Sequence, residues 1–302
     1  MADAQAGRGE ALLTLADVLR ISGITKLVLH AWERRYGFAP AGRSETGRRF
    51  YTREQAEQLR LLKACSDAGY RIGTLINLPI EELIRIEENH RARLSLVSVL
   101  EHIQTLDGEK LRDALQQRAD KEGAEGFVRH TAMPLLQEVG LLWATGAVTV
   151  AAEHLATSAV KRVLGTMLDS CPPAPDGAQC LIATTLEGEQ HEVGALVVAL
   201  MARLAGWDAL YLGPDLPVSE IASAARQRHA DVVCLSGLAG KKRLVEMRLR
   251  DLRGVLPENT AIWLGGPAFA EMPSMPAVRF FENLDICVDM LHSTPARRSH
   301  TA

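Results

Sequence analysis

The second half of the chain alternates short apolar runs with stretches of helical periodicity. The apolar runs are CLIATT, DALYLG, DVVCLSGL, AIWLGG and VRFFEN, and helical patterns of a dozen or so residues separate the first four. Runs that are apolar throughout indicate strands buried on both faces, and helical connections indicate that these strands are parallel. The pattern therefore predicts a five-stranded parallel sheet with helices on both faces.

The first 170 residues show helical periodicity instead. Thr14 and Thr25 each stand before an amphipathic stretch as candidate N-caps, and ISGIT between them predicts a turn. Residues 91–170 have the pattern of successive amphipathic helices, with turn signals at Asp107-Gly108, Glu122-Gly123 and Gly146. CPPAPDGAQC, which follows, is a linker rich in proline and glycine.

These patterns predict a multidomain protein with a helical head, a helical middle and an α/β part. The α/β part is expected to be a flavodoxin-like, doubly wound parallel sheet. The expected boundaries are 1–10 for a mobile terminal segment, 11–85 for the head, 91–170 for the middle, 171–179 for a linker, 180–293 for the α/β part and 294–302 for a second mobile segment.

The composition excludes little by itself. The formal net charge of −3 neither favours nor excludes a nucleic-acid partner. Five cysteines are scattered without a CxxC pair and lie mostly in apolar runs, as expected for reduced thiols. The sequence shows no signal-peptide pattern and no apolar stretch as long as a membrane span. We therefore expect a cytoplasmic protein without a membrane partner.

Positive charge is concentrated in the head. From Arg34 to Lys63 the sequence has eight lysines and arginines against three acidic residues. Two helices joined by a tight turn, the second carrying Arg34 and Arg35, form a helix-turn-helix pattern whose second helix suits the DNA major groove. The local excess predicts contact with the phosphates of double-stranded DNA, although arginine-rich helix faces are often only solvated.

The head resembles the MerR family of winged helix-turn-helix regulators. HAWERRYGF followed by GRRFYTREQAEQLRLLKACSDAGYRIGTL is similar to that family's recognition helix, β wing and following helix pair, over residues 13–78. The chain continues into other domains where metal-sensing members have a long dimerisation helix and terminal cysteines, so it is not such a sensor. The resemblance and the charge pattern together imply DNA contacts by Arg34, Arg35, Tyr36, Arg43, Arg48, Arg49 and Tyr51.

His191 lies in EGEQHEVG, on the loop that leaves the first predicted strand of the sheet. Imidazole is a good neutral ligand for a transition metal, and its second nitrogen usually bonds a carboxylate, here Glu189, that fixes the tautomer. Gly194 after the histidine allows a bulky planar ligand to approach the backbone. Such loops hold ligands in α/β folds, although a solvated histidine is the ordinary explanation of so short a pattern taken alone.

Two further groups make the histidine part of a larger pattern. Ser236-Gly237-Leu238 ends the third predicted strand, with 41 residues between Gly194 and Ser236. Gly265-Gly266 ends the fourth, with 26 residues between Leu238 and Gly265. The set resembles the cobalamin-binding domain of methionine synthase, corrinoid proteins and mutases, over about residues 180–290. The family has an aspartate where this chain has Glu189.

The resemblance implies that His191 is the lower axial ligand of cobalt and displaces the cofactor's dimethylbenzimidazole tail. Glu189 would orient the imidazole, and Ser236 would hydrogen-bond the benzimidazole. Gly265 and Gly266 would leave room for the tail. Because glutamate is one methylene longer than aspartate, the sequence leaves the geometry of its contact with the imidazole open.

The middle part carries four residues at helical spacing: Trp143, Val150, Glu153 and His154. Core packing explains a Trp–Val stripe in most helical bundles, and a Glu-His pair alone can lie on the surface. Just before a cobalamin fold, however, W-x9-EH resembles the four-helix bundle that caps the upper face of the corrin. The resemblance implies that Trp143 and Val150 line the upper axial pocket. Glu153 and His154 would bind the adenosyl group or stabilise its site.

The order of the three parts resembles that of the CarH/LitR light-dependent regulators over nearly the whole chain. The resemblance implies a repressor that binds adenosylcobalamin, or another cobalamin, in the dark and assembles as a dimer or tetramer on operator DNA. Light then breaks the cobalt–carbon bond and the DNA is released. Ala144 departs from the pattern, because a cobalt-capturing histidine follows the cap tryptophan in the best-known arrangement. His154, His130 or water would have to take that place.

The sequence leaves three alternatives open: a light-independent cobalamin or tetrapyrrole sensor, a corrinoid methyl-transfer protein, and a module that has lost its cofactor. The basic head disfavours a methyl carrier, which has no need to bind DNA. The intact set of His191, Ser236 and Gly265-Gly266 disfavours loss of the cofactor. No P-loop, nucleophile–histidine pair or paired-carboxylate site stands out, so no enzyme is predicted.

Overall fold

The computed structural model describes residues 12–293, apart from the side chains of Asn89, Ala92 and Arg93. The chain forms two compact units, Met1–Ser98 and Val99–Ala302. Both predicted terminal segments, 1–10 and 294–302, lie outside the described residues. Within residues 12–293, no helix is both long enough and apolar enough to span a bilayer.

The first unit combines helices with a small antiparallel sheet. Its strands pair in the order β1–β3–β2, with Tyr51 opposite Leu13 and Arg49 opposite Arg43. The last helix runs through the predicted gap between head and middle instead of ending before it. The elements are β1 (Leu13–Thr14), α1 (Leu15–Ser22), α2 (Lys26–Tyr36), β2 (Gly42–Arg43), β3 (Arg49–Tyr51), α3 (Arg53–Asp67), α4 (Ile72–Leu75) and α5 (Ile80–Ser95).

The first two helices begin at the predicted N-caps. The Thr14 hydroxyl accepts a hydrogen bond from the backbone N–H of Asp17, whose carboxylate accepts one from the backbone N–H of Thr14 in return. The Thr25 hydroxyl accepts from the backbone N–H of Val28. Gly23 ends α1 with a φ of 69°, in the left-handed region that favours glycine. These contacts confirm the predicted pair of helices and the turn between them.

One face of α2 is buried in the core of the first unit. Leu29 and Trp32, three residues apart on that helix, belong to the same apolar cluster as Leu59 and Leu62 of α3. Full burial of a leucine side chain contributes roughly 1.5–3 kcal/mol. The buried face therefore fixes the orientation of α2, and the opposite face is left to solvent.

The second unit begins with four helices, the last of which packs against the α/β part. For this reason the predicted middle and α/β parts form one compact unit, where the sequence predicted separate domains. Gly123 interrupts the second helix with φ 68° and ψ 177°, at one of the predicted turn signals. A π-helical turn at Val128–Ala132 leads into the third. The helices are α6 (Val97–Gln104), α7 (Gly108–Phe127), α8 (Met133–Ala144) and α9 (Val150–Asp169).

The α/β part confirms the predicted parallel five-stranded sheet. Helices connect its first four strands, and a short 3-10 turn at Pro267–Phe269 lies before the fifth. The elements are β4 (Cys180–Thr184), α10 (Val193–Leu204), β5 (Asp208–Tyr211), α11 (Val218–Arg228), β6 (Val232–Ser236), α12 (Lys242–Val255), β7 (Ala261–Gly265), β8 (Val278–Phe281) and α13 (Leu284–Ser293).

The strand order defines where a ligand can enter the sheet. The order is β5–β4–β6–β7–β8, so the chain leaves β4 toward one side and reaches β6 on the other. This reversal opens a crevice outside the carboxyl ends of β4 and β6, where doubly wound folds bind ligands. The predicted Glu189–His191 loop follows β4, and Ser236 ends β6.

Candidate functional site

A buried glutamate joins the loop after β4 to the loop after β6. One carboxylate oxygen of Glu189 accepts hydrogen bonds from the backbone N–H of His191 at 2.9 Å and from its imidazole Nδ1 at 2.5 Å. The other oxygen accepts from the backbone N–H groups of Leu238 and Ala239, both at 2.8 Å. The contact between Glu189 and the imidazole, left open by the sequence, is therefore direct.

The surroundings of Glu189 keep its carboxylate ionised. Burial raises the pKa of Glu189, but hydrogen bonds from the N–H groups of Ala239 and His191, from the His191 imidazole and from the N–H of Leu238 outweigh it. The pKa therefore lies below its ordinary value. An ionised carboxylate only accepts hydrogen bonds, so Nδ1 of His191 carries a proton, and in the neutral form of this imidazole the lone pair lies on Nε2.

The imidazole of His191 is well placed to bind a metal whose other coordination positions are filled by a non-protein ligand. Its side chain is 57% exposed although its partner Glu189 is almost fully buried. Among the described residues, no group of three or more His, Cys, Asp or Glu could hold a bare metal ion. A metal enclosed in a macrocycle needs only one protein ligand, and a neutral imidazole with a fixed tautomer supplies it. The donor set thus fits cobalamin.

Gly194 makes room for the Ser236 hydroxyl. A Cβ placed on Gly194, in the first turn of α10, would collide with Oγ of Ser236 and lie 3.2 Å from its Cβ. The sequence assigned this glycine to the close approach of a planar ligand. In the structure its close neighbour is the side chain of Ser236, which lies against the helix start, so packing within the protein also requires a glycine here. The approach of a planar ligand to Gly194 stays a prediction.

The two glycines at the carboxyl end of β7 differ in what surrounds them. A Cβ on Gly265 would meet nothing within 4 Å, which agrees with the room predicted for the nucleotide tail. Gly266 has a φ of 96°, and its added Cβ would collide with the carbonyl oxygen of Gly237. Gly266 therefore serves the close packing of the loops after β6 and β7, and its role in leaving space for the tail stays a prediction.

A Gly194→Ala substitution is expected to destabilise the protein by about 1–3 kcal/mol, because the new methyl group forces Ser236 out of place. The loss should shrink in a Gly194→Ala/Ser236→Ala double variant, since the Ser236 hydroxyl is the nearest obstacle. Gly140→Ala is the matched control, because Gly140 is helical with open space around it and should gain stability. Urea unfolding measures all three, and equal effects at the two glycines would contradict the packing argument.

The predicted cap residues flank the short connection between α8 and α9. Trp143 and Val150 are 52% and 55% exposed, which is high for large apolar side chains. Glu153 accepts hydrogen bonds from the Thr157 hydroxyl at 2.8 Å and pairs with Nδ1 of His154 at 2.6 Å. Leu238, in the loop after β6, is another large apolar side chain with 56% exposure.

A second link to the His191 loop was not predicted. The Glu192 carboxylate, at the start of α10, accepts a hydrogen bond from the Tyr211 hydroxyl of β5 and pairs with Lys161 of α9. Burial and the bond to Glu192 raise the pKa of Tyr211. The only signal in the sequence was the position of Glu192 directly after the histidine, because its two partners are distant along the chain.

The predicted DNA contacts of the head fall into two groups. Four arginines have exposed side chains: Arg34, Arg35, Arg43 and Arg48. The Arg35 guanidinium lies over the Tyr36 ring, 5.4 Å from its centroid. Arg49, by contrast, pairs with Glu33 at 3.1 Å and keeps only a quarter of its side chain exposed.

Tyr51 is a core residue, which corrects its prediction as a phosphate contact. Its side chain is fully buried and its hydroxyl donates to Glu33 at 2.7 Å. Burial and the bond to Glu33 raise the pKa of Tyr51. The Tyr51 hydroxyl and Arg49 therefore both bind the Glu33 carboxylate. Neither the ring nor the hydroxyl of Tyr51 reaches the surface.

Comparison with known proteins gives three family matches. Residues 13–78 match the MerR HTH family regulatory protein model, and residues 97–167 and 180–282 each match a B12 binding domain model. Among solved structures, the monomethylamine corrinoid protein of Methanosarcina barkeri aligns with a TM-score of 0.49 and 16% identity, over 65% of this chain and 95% of that one.

Two of the most similar relatives are HTH-type transcriptional repressors of Myxococcus xanthus. CarA is 32% identical over 227 residues, which cover 74% of this chain and 76% of CarA. CarH is 28% identical over 260 residues, which cover 82% of this chain and 86% of CarH. With a MerR-type domain followed by two B12 binding domains, this chain belongs to the family of B12-binding, HTH-type transcriptional repressors that includes CarA and CarH.

Proposed function

We propose that this chain is a cobalamin-dependent, light-responsive transcriptional repressor. With adenosylcobalamin bound in the dark it forms a homo-oligomer that occupies operator DNA, and in the light it releases that DNA. One observation supports the proposed binding of cobalamin: the exposed imidazole of His191 is held by the buried carboxylate of Glu189 at the crevice of the parallel sheet. Membership of the repressor family supports the DNA part.

The loops after β4 and β6 hold the lower side of the cofactor in this proposal. His191 would hold the cobalt through Nε2, and Glu189 would keep Nδ1 protonated so that the Nε2 lone pair stays available. We assign Ser236, which ends β6 and lies against the start of α10, to a hydrogen bond with the nucleotide tail. The open space beside Gly265 is assigned to the same tail.

We assign α6–α9 to a four-helix bundle that covers the upper side. Trp143 and Val150 would be covered by the adenosyl group, with a gain of about 25 cal/mol for each Å² of apolar surface removed from water. Glu153 and His154 would offer polar contacts to the same group. When bound, the cofactor supplies a cobalt–carbon bond that visible light cleaves. Without the adenosyl group Trp143 and Val150 return to water, which shifts the balance between two arrangements of the bundle.

A second candidate is a cobalamin sensor that does not respond to light. The observation that favours it is Ala144, the last residue of α8, which directly follows Trp143. A methyl side chain has no lone pair to donate to cobalt. This position therefore supplies no protein ligand that would stabilise the protein after light has removed the adenosyl group. Under this alternative the chain binds operator DNA according to whether cofactor is present.

The two candidates are separated by one experiment on the full chain. The chain is loaded with adenosylcobalamin in the dark, and its visible spectrum, its size and its retardation of DNA from its own promoter are recorded before and after green illumination. We expect light to change all three. A spectrum that changes while size and DNA retardation stay constant would favour the light-independent sensor. A chain that acquires no cofactor spectrum contradicts both candidates.

Replacing Arg34 or Arg48 by alanine is expected to weaken DNA binding across all sequences. Both side chains are exposed, one on α2 and one in the β2–β3 hairpin that we assign as the wing. Each lost phosphate contact should reduce the slope of log affinity against log salt concentration by about 0.9. Arg243→Ala is the control, since it removes an exposed arginine from the second unit. Unchanged slopes in both head variants would exclude these residues as phosphate contacts.

A further inference from the structure

Leu27 has an exposure that packing within the chain does not explain. It stands second in α2, and its side chain is 82% exposed, more than any other large apolar side chain among the described residues. An exposed leucine gains nothing from the core, which α2 reaches through Leu29 and Trp32 on its opposite face.

The solvent face of α2 has a definite order along the helix. At 100° per residue, Leu27, Ala31 and Arg34 fall within about 60° of one another around the helix axis. All three are exposed. This strip therefore has an exposed apolar side chain, Leu27, in the first turn, the small Ala31 in the middle and the cationic Arg34 near the end. The small Ala31 allows a surface to approach the helix closely at its centre.

The charges around the strip fit a polyanion. Lys26 directly precedes Leu27, and Arg34 and Arg35 lie in the last turn of the helix. The one acidic residue of α2, Glu33, is 12% exposed at its side chain and engaged by both Arg49 and the Tyr51 hydroxyl. Its negative charge is therefore neutralised away from the strip, so the exposed face of α2 is cationic with one apolar projection.

DNA offers one apolar group to such a projection. In the major groove the C5 methyl of thymine is the only apolar feature of a base edge, and side chains near the N-terminus of a second helix are those that reach the bases. The arginines at the other end of α2 then lie at the level of the backbone. We propose that Leu27 is a specificity-determining residue that reads a thymine methyl group in the operator.

This inference rests on the proposed DNA binding and is tested separately from it. The full chain, loaded with adenosylcobalamin in the dark, selects its preferred duplexes from a random library. Each thymine of the selected site is then replaced by uracil, which removes only the methyl group. At one thymine position we expect uracil to weaken binding by roughly fourfold, the value of one buried methyl-sized group.

The Leu27→Ala variant tests whether Leu27 is the residue that contacts the thymine methyl group. It should bind the thymine and uracil sites equally, while its affinity for random duplex and its salt slope stay those of the parent chain. Because Leu27 is so exposed, this variant is expected to fold normally. Leu94→Ala is the matched control, since it removes another exposed leucine, from α5, and should keep the response to uracil.

Two results overturn the inference while the proposed DNA binding survives. One is a parent chain whose binding is insensitive to uracil at every position. The other is a Leu27→Ala variant that changes oligomer size but keeps the parent's response to uracil, which would make Leu27 a contact between subunits. A parent chain without any salt-dependent duplex binding overturns the proposed function and this inference together.

Discussion

His191→Ala is expected to remove the nitrogen ligand from cobalt and to weaken cobalamin binding by more than about 100-fold, since loss of an outer-shell partner alone costs 10–100-fold. In the described structure, the exposed Nε2 of His191 is the one nitrogen that we assign to cobalt, and Glu189 fixes its orientation. The measurement is a titration with adenosylcobalamin in the dark, followed by the visible spectrum. The spectrum should change to that of a cofactor whose lower position is filled by water or by its own benzimidazole.

His292→Ala is the matched control for that experiment. His292 is exposed on α13 and has no role in the proposed site, so its replacement should leave affinity and spectrum unchanged. Urea unfolding without cofactor should give a free energy close to that of the parent chain for His292→Ala. For His191→Ala it should be lower by about 1.5 kcal/mol, because that variant also loses the hydrogen bond to Glu189. An unchanged spectrum in the His191→Ala variant would contradict the assignment of the lower ligand.

Glu189→Gln is expected to lower the free energy of unfolding by about 3 kcal/mol at neutral pH, a typical value for lost hydrogen bonds to a buried charged group. Glu189 accepts four hydrogen bonds, three from backbone N–H groups and one from an imidazole. A glutamine presents an N–H₂ group to one pair of these donors, which leaves buried donors facing each other. Urea unfolding at pH 7 measures the difference.

The effect of Glu189→Gln should depend on pH in a defined direction. The pKa of Glu189 is lowered in the folded state, so its stabilisation is complete above the unfolded value of about 4.3 and disappears as the pH falls through the folded value. Glutamine does not titrate. The gap between parent and variant should therefore be constant from pH 7 to about pH 5 and should narrow below about pH 4.

Glu187→Gln supplies the control for both measurements. Glu187 lies two residues earlier in the same loop, and its carboxylate is 54% exposed and paired with Arg248. An exposed ion pair contributes about 0–1 kcal/mol, so this variant should change stability little. Equal losses in the two variants would show that the loop, and not the buried carboxylate of Glu189, accounts for the effect.

The features that the sequence predicted correctly are those encoded by neighbouring residues. Thr14 and Thr25 cap helices because a hydroxyl reaches a backbone N–H three residues ahead. Each of the five strands lies in a short, mainly apolar run, so the sheet could be predicted from residues that are adjacent in sequence. The pairing of Glu189 with His191 was predictable for the same reason, since only one residue lies between them along the chain.

The sequence by itself determined the element types, the five strands and the acid–imidazole pair. The tertiary structure alone decided which distant groups meet: Tyr51 with Glu33, Gly194 with Ser236, Gly266 with Gly237, and Glu192 with Lys161 and Tyr211. Helical and strand periodicity place a side chain on a face but do not specify its partner across a sheet or between two helices. Such partners depend on chain topology and close packing, which joined residues 18 to 42 positions apart at these contacts.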